Sequence, residues 1–246
     1  MSTGRAATLA AAAALGVWAG PALSAVGPLR RPLLPRLSGV GSTEHIALTF
    51  DDGPDPRSTP HMLDLLARHG RRATFFVVGE QVRTSAAVVQ RMVAEGHEVA
   101  VHGWTHRTTA LVAPTRLAGQ LAAARAEVED VTGAPVRWYR PPYGVLTTDT
   151  LRACRTLDLR PVLWTAWGRD WVRHTTGERI AHTVLATLRP GGTILLHDTD
   201  LHARGSWRPT LDATDLLLTG PLADADVGPL SEHGITPGDR PPRRRG

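Results

Sequence analysis

From residue 45 onward the chain alternates between two kinds of segment, and that alternation constrains the fold more than any other feature. Short runs rich in apolar, β-branched and aromatic residues read as strands at 45–50, 73–78 ("ATFFVV"), 97–101 ("HEVAV"), 136–139 ("VRWY"), 160–166 ("RPVLWTA") and 193–197 ("TILLH"), with a less apolar seventh at 226–230. Between them lie helical patterns at 58–69, 84–95, 115–132, 147–157, 176–188 and 210–219, with Ser58, Thr115 and Thr147 standing where N-caps are wanted. Such alternation predicts an α/β fold with a parallel sheet and helices outside it. Seven strands suit either an open doubly wound sheet or a barrel. No G-x-G-x-x-G follows the first strand, so the dinucleotide-binding version of the open sheet loses its main support.

The polar residues fall at one end of these strands. Asp51 and Asp52 end the first; His102 ends the third and His106 follows it; Arg140 ends the fourth; Asp170 follows the fifth; His197 and Asp198 end the sixth. In a parallel barrel all of these carboxyl ends open on one face, where reactive groups converge.

The stretch "HIALTFDDGPDP", 45–56, sharpens the point, because a buried strand stops on two adjacent carboxylates. Like charges so placed repel unless a cation separates their roles. "HGWTH", 102–106, supplies the complement: two histidines four apart meet on one helical face or across a tight turn, and imidazoles so related bind zinc-like metals. Alone the pair is a weak signal, and no Glu follows the first His, so the metalloprotease pattern is absent. With Asp52 from another strand end, His102 and His106 make three protein ligands and leave positions open, as a catalytic site requires. Asp51 is then left beside the ligand as a base.

Five ordered stretches, "TFDDGP" (49–54), "HGWTH" (102–106), "RPPYG" (140–144), "GRDW" (168–171) and "ILLHD" (194–198), resemble the motifs of the polysaccharide deacetylase family, also called the NodB-like family or family four carbohydrate esterases. The resemblance runs from about residue 45 to 200. It implies a deformed, incomplete TIM-like (β/α)7 barrel, the NodB-homology domain, that hydrolyses N-acetyl or, in some members, O-acetyl groups on a glycan. Carried over by position, Asp52, His102 and His106 would hold a divalent cation, with zinc, cobalt and nickel all suited to the ligand set and zinc taken first. Asp51 would be the general base, Arg140 its charged support, His197 the general acid and Asp170 the group that tunes it. A backbone N–H near Tyr143 would stabilise the oxyanion, and Trp171 and Leu195 would line the acetyl pocket.

Two positions depart from the family pattern. Gly103 stands where Ser or Thr usually follows the first metal histidine, and Trp167 stands where a further Asp is often found. Neither change removes a ligand, base or acid; both touch the surroundings that tune them. The alternative is a catalytically silent glycan-binding protein on the same fold, with Trp104, Trp138, Tyr143 and Trp171 as sugar platforms. It gives no reason to keep the base, the acid and all three ligands.

The remaining segments bear on location. Arg5 precedes the apolar run "AATLAAAAALGVWAG", and "PALSA" then offers small residues, so 1–25 reads as a signal peptide or membrane anchor and the protein as exported, secreted or held on the outer face of the cell membrane. Residues 26–44 read as a linker, 45–233 as the catalytic domain and 234–246 as a disordered basic tail. The 28 cationic residues are all Arg and mostly dispersed, so the formal charge of +5 marks no nucleic-acid stripe. Cys154 is the only cysteine, which excludes an intrachain disulfide and a multi-cysteine metal site. The partners expected are an acetylated glycan and, through the N-terminal segment, the membrane, for a chain acting as a monomer.

Overall fold

A computed structural model describes residues 16, 20–25, 27–201 and 203–235. Residues 236–246 of the basic tail expected at 234–246 and most of the expected signal or anchor therefore lie outside the described residues; the tail's first two residues are ordered, with Ile235 buried in the barrel. Among those described, no helix is long and apolar enough to cross a membrane.

Eight strands form one sheet: β1 (His45–Asp51), β2 (Thr74–Val77), β3 (Glu98–Val101), β4 (Trp138–Tyr139), β5 (Arg160–Pro161), β6 (Ala166–Trp167), β7 (Thr193–His197) and β8 (Asp226–Gly228). Their order is β5-β4-β3-β2-β1-β7-β6, with β8 paired to the first half of β1. Every ladder is parallel, from Thr49↔Thr74 on one side of β1 to Ala47↔Thr193 on the other. The sheet curls into a half-barrel, since no ladder joins β5 to β6 among the described residues.

Alternation along each strand sorts the side chains. One set, including Leu48, Phe50, Phe75, Val77, Val101, Tyr139, Ile194 and Leu196, packs outward against the helices. The other set fills the barrel, where Ala47, Phe76, Ala100, Trp138 and Val162 meet Leu230 and Ile235 from the C-terminal segment. Continuing the inward alternation to the strand ends, through Thr49 on β1 and Leu195 on β7, reaches Asp51, His102, Arg140 and His197, so period-two geometry delivers four functional side chains to one mouth.

Several expectations change. The single strand read at 160–166 is two short strands, β5 and β6. Pro161 has no N–H to continue a ladder, and the residues after it change partners: Val162 N–H donates to the Tyr139 carbonyl at 2.9 Å, whereas Thr165 N–H donates to Thr193 at 3.0 Å. The helix read at 84–95 is two helices, Gly79–Thr84 and Ala86–Ala94, interrupted where Ser85 leaves helical geometry at φ −132° and ψ 33°. The helix read at 210–219 starts earlier, at Trp207. Ser58 makes no side-chain cap bond, and Thr115 lies inside a helix that starts at Pro114. Thr147 does cap, in a reciprocal box with Thr150.

The stretch 26–44 packs on the barrel where it is described. Helix α1 (Gly27–Leu33) buries Arg30, and Ser38 and Gly39 are buried behind it. Thr193 Oγ1 donates to the Gly39 carbonyl at 2.6 Å, and Gly41 N–H to Gly191 at 2.9 Å.

Candidate active site

At the carboxyl end of β1 the backbone turns sharply, and Asp52 takes a positive φ of 76°. That turn sends the two adjacent carboxylates to different partners. Asp51 Oδ1 accepts from Arg140 Nη1 at 2.7 Å, and the same nitrogen donates to Thr49 Oγ1 at 2.7 Å. Arg140 is fully buried, with its guanidinium 4.0 Å from the centroid of Phe76. Burial lowers its pKa, and the Asp51 carboxylate works against that fall.

Asp52 faces the histidines instead. Its Oδ1 is 3.2 Å from His102 Nε2 and 3.0 Å from His106 Nε2, and one donor atom from each of the three residues lies within 4.8 Å of the others. His102 Nδ1 is 2.8 Å from the Arg140 carbonyl, which can only accept. Nδ1 therefore carries a proton, and in the neutral ring that a metal ligand requires the Nε2 lone pair faces the Asp52 carboxylate. A buried carboxylate and an imidazole lone pair directed at one point fit a divalent cation, with the Arg140 carbonyl as the outer support that orients such a histidine.

Across the mouth stands His197. Asp170 holds it twice, through Nδ1 to Oδ1 at 2.9 Å and through the His197 N–H to Oδ2 at 2.6 Å, while Thr210 Oγ1 donates to the same Oδ2 at 3.0 Å. Burial pulls the imidazole pKa down, but Asp170, then Asp52 and Asp51, outweigh it and carry the value up to about 10. His197 Nε2 lies 3.8 Å from Asp52 Oδ2, so the side opposite Asp170 points at the ligand cluster.

Asp51, His102, His106 and His197 line a cavity of about 280 Å³ whose other walls are Tyr143, Trp164, Trp167, Trp171 and Leu195. Tyr143, at φ 60° and 57% exposed, meets His106 edge-on with ring centroids 4.7 Å apart. Trp171 stands perpendicular to His197 at 5.5 Å, Trp167 is 5.1 Å from Trp171, and Trp164 is 5.9 Å from Trp167. An arc of indoles thus runs from His197 round to the Arg140 side. The register Trp167↔Leu195 puts Trp167 beside the expected acetyl-pocket residue, so the departure at 167 replaces a charge by an apolar wall.

All ten residues singled out from the sequence gather here. Two tryptophans considered as sugar platforms do not: Trp138 is buried inside the barrel with its indole N–H on Glu98 at 3.1 Å, and Trp104 packs away from the cavity, against Gly79 and under Arg83. Trp164 and Thr210 escaped the sequence reading, and Asp198, noted at the end of the sixth strand, was given no role. Trp164 was signalled only by three tryptophans in eight residues. Asp198 is buried, accepts from the Thr59 hydroxyl and lies under the Gly53 turn; burial pushes its carboxyl up to about 7 against the pull of Thr59. Thr210, in the helix Trp207–Thr219, had no signal.

Residues 39–162 match the family described as polysaccharide deacetylase. The chain belongs to the polysaccharide deacetylase family. It is 42% identical to a chitooligosaccharide deacetylase of Bradyrhizobium sp. (strain ANU 289) over 71% of this chain and 79% of that one. Among solved structures it resembles the Bc1960 peptidoglycan N-acetylglucosamine deacetylase with a TM-score of 0.73 and 29% identity, over 82% of this chain and 92% of the other. It also resembles a family 4 acetyl xylan esterase from Clostridium thermocellum, solved with a cobalt ion, at a TM-score of 0.69 and 32% identity over 77% and 89% of the two chains. The half-barrel described above is the deformed (β/α)7 barrel of this family.

Proposed function

We propose that this polysaccharide deacetylase hydrolyses N-acetyl groups on the amino sugars of a glycan such as a chitin-type oligomer or peptidoglycan, with zinc as its cation. The observation that carries the reading is the opposition across one small cavity of a carboxylate held by an arginine, Asp51, and an imidazole held by a carboxylate, His197, with the donor triad between them. That is a base and an acid with separated roles. A silent binder has no use for either.

A divalent cation held by Asp52, His102 and His106 would supply Lewis acidity toward the acetyl carbonyl and lower the pKa of water. Arg140 occupies Asp51 Oδ1, which leaves Oδ2 to take the proton of the attacking water as its oxygen bonds the carbonyl carbon. The Tyr143 backbone N–H would share the negative charge that develops on the carbonyl oxygen. His197, protonated with Asp170 behind it, then gives its Nε2 proton to the sugar nitrogen as the C–N bond breaks. The products are acetate and a free amine. Leu195 and Trp171 would hold the acetyl methyl, excluding water from that side.

Arg5, the apolar run after it and the small residues at 21–25 have the order of an export signal, which supports a chain acting outside the cytoplasmic membrane. Released acetate on acetylated chitooligosaccharides is the direct test. Chelation should stop release and zinc should restore it. Binding of the oligomer with no acetate released under any added metal would favour the silent module.

A further inference from the structure

The open seam of the sheet draws residues ahead of the family-matched region against the backbone that carries one wall of the pocket. Between β5 and β6, residues 162–165 leave one ladder and join another, and their buried carbonyls need donors. Arginines supply them. Arg140 Nε and Nη2 donate to the Val162 and Leu163 carbonyls at 3.3 and 3.0 Å, Arg30 Nη2 donates to the Trp164 carbonyl at 2.6 Å, and Arg31 Nη2 donates to that of Thr165. In return the Leu163 N–H donates to the Leu37 carbonyl at 2.8 Å.

Arg140 already serves Asp51. Arg30 and Arg31 come from α1, before residue 39 where the family match begins. Arg30 is only 4% exposed, its Nε donates to Ser38 Oγ at 3.1 Å, and its guanidinium lies 5.7 Å from the centroid of the Trp164 indole, which Arg140 also approaches at 5.9 Å. Residues Gly20–Ala25, one step earlier, lie against the Pro142–Gly144 turn that carries Tyr143. Burial, then Arg31 and Arg140, lower the Arg30 pKa to about 10, so it stays cationic at neutral pH. A guanidinium kept in so cationic a setting implies that its donor geometry is what the fold uses.

We propose that Arg30 is a positioning residue of the active site, fixing the backbone and the indole of Trp164 and through them the wall against which the glycan sits. It touches no reacting atom and acts through Trp164. The inference rests on the reading of the cavity as a glycan site.

Arg30→Met keeps the length and packing of the stem and removes the donors, while Arg30→Lys returns a charge and a donor. Two measurements on the full chain decide. In the Met variant, amide hydrogen exchange over 163–167 should quicken by about tenfold while β1 and β2 are unchanged. On a chitooligosaccharide, KM should rise by about tenfold with kcat little altered, as for lost uniform binding, and the Lys variant should recover part of both. Unchanged exchange at the seam, or exchange quickened throughout the sheet with kcat and KM falling together, would overturn the proposal. A wild-type chain that releases no acetate overturns the deacetylase reading alone, and the exchange pattern then still decides whether Arg30 holds Trp164.

Discussion

At the carboxyl end of the sheet His197 sits against Asp170, with Nδ1 2.9 Å from a carboxylate oxygen; at the amino end His45 sits against His233, with Nδ1 2.9 Å from Nδ1. The second contact is buried and the first largely so, yet the imidazoles move in opposite directions. His197 is carried up to about 10 because Asp170 outweighs burial, whereas burial and then His45 drive His233 down to about 4. His45 is also lowered, burial prevailing over Asp226 and Glu232, the latter paired with Arg72 at 2.5 Å. The amino-end pair has one consistent proton arrangement: His233 Nε2 is 3.1 Å from the Gly39 carbonyl and so carries a proton, leaving its Nδ1 to accept from His45. Burial alone does not set what a histidine can do; its partner does. One end of the barrel keeps a charge for use, and the other, closed by Leu230 and Ile235, excludes charge where the start of β1 meets the segment after β8.

The largest effect should come from the mouth. Asp51→Asn keeps the size of the side chain and the triad, so cation content should stay at the wild-type level while kcat falls by ~10² to 10⁴-fold. Metal analysis alongside acetate release checks both halves. Loss of the cation with part of the activity retained would mean that Asp51, and not Asp52, is the ligand.

The amino end should respond in stability alone. The unfolded chain protonates His233 near pH 6.5, but the folded chain resists down to about pH 4, so between these values the unfolded state binds more protons and stability falls as pH falls. The contribution is roughly 3 kcal/mol across that window. His97, also pushed down to about 4 by burial, adds its own share, so the informative quantity is a difference between chains. In urea unfolding, His233→Leu should be less stable at pH 7 by about 1–3 kcal/mol. Its stability should fall less steeply than the wild type between pH 6.5 and 4, with activity per folded molecule intact. A parallel pair of profiles would remove the amino-end half of the comparison.

Asp170→Asn tests the other half by making the two ends alike. Without the carboxylate, burial is less opposed and the His197 imidazolium is harder to keep. The alkaline limb of kcat/KM should move to lower pH, with a loss of ~10 to 100-fold at its former optimum and the cation retained. An unmoved limb with wild-type turnover would show that Asp170 only fastens the His197 backbone N–H.

These contrasts also explain what could be read in advance. Asp52, His102 and His106 were legible because strand periodicity and strand ends are written locally, and a parallel sheet brings those ends together without further instruction. The split of 160–166 was not, because "RPVLWTA" has the composition of one strand and the change of partners after Pro161 is a tertiary event. Arg30 read as part of a linker, since a guanidinium that caps a carbonyl 134 residues away leaves no mark on its neighbours. The same holds for His45 and His233, which are 188 positions apart.

The smallest effect expected is at Gly103, where the family usually carries Ser or Thr. Restoring the family residue looks like an improvement to the ligand loop, but the backbone argues otherwise. Gly103 has φ 97°, a conformation that L side chains rarely adopt, and a Cβ there would lie 3.3 Å from the Thr105 carbonyl oxygen. Relaxing φ would disturb two contacts that pin the loop to the helix Gly79–Thr84, the Gly79 N–H on the Gly103 carbonyl at 2.9 Å and the Glu80 N–H on that of Trp104 at 3.0 Å. Gly103→Ser should therefore cost about 1 kcal/mol in urea unfolding and leave turnover at or slightly below the wild type. The comparison sharpens here, because the loss should appear at the mouth, where Gly supplies freedom to His102 and His106, and not at the amino end. Serine raising both stability and acetate release would mean that the loop can return to negative φ and take up the missing hydrogen bond.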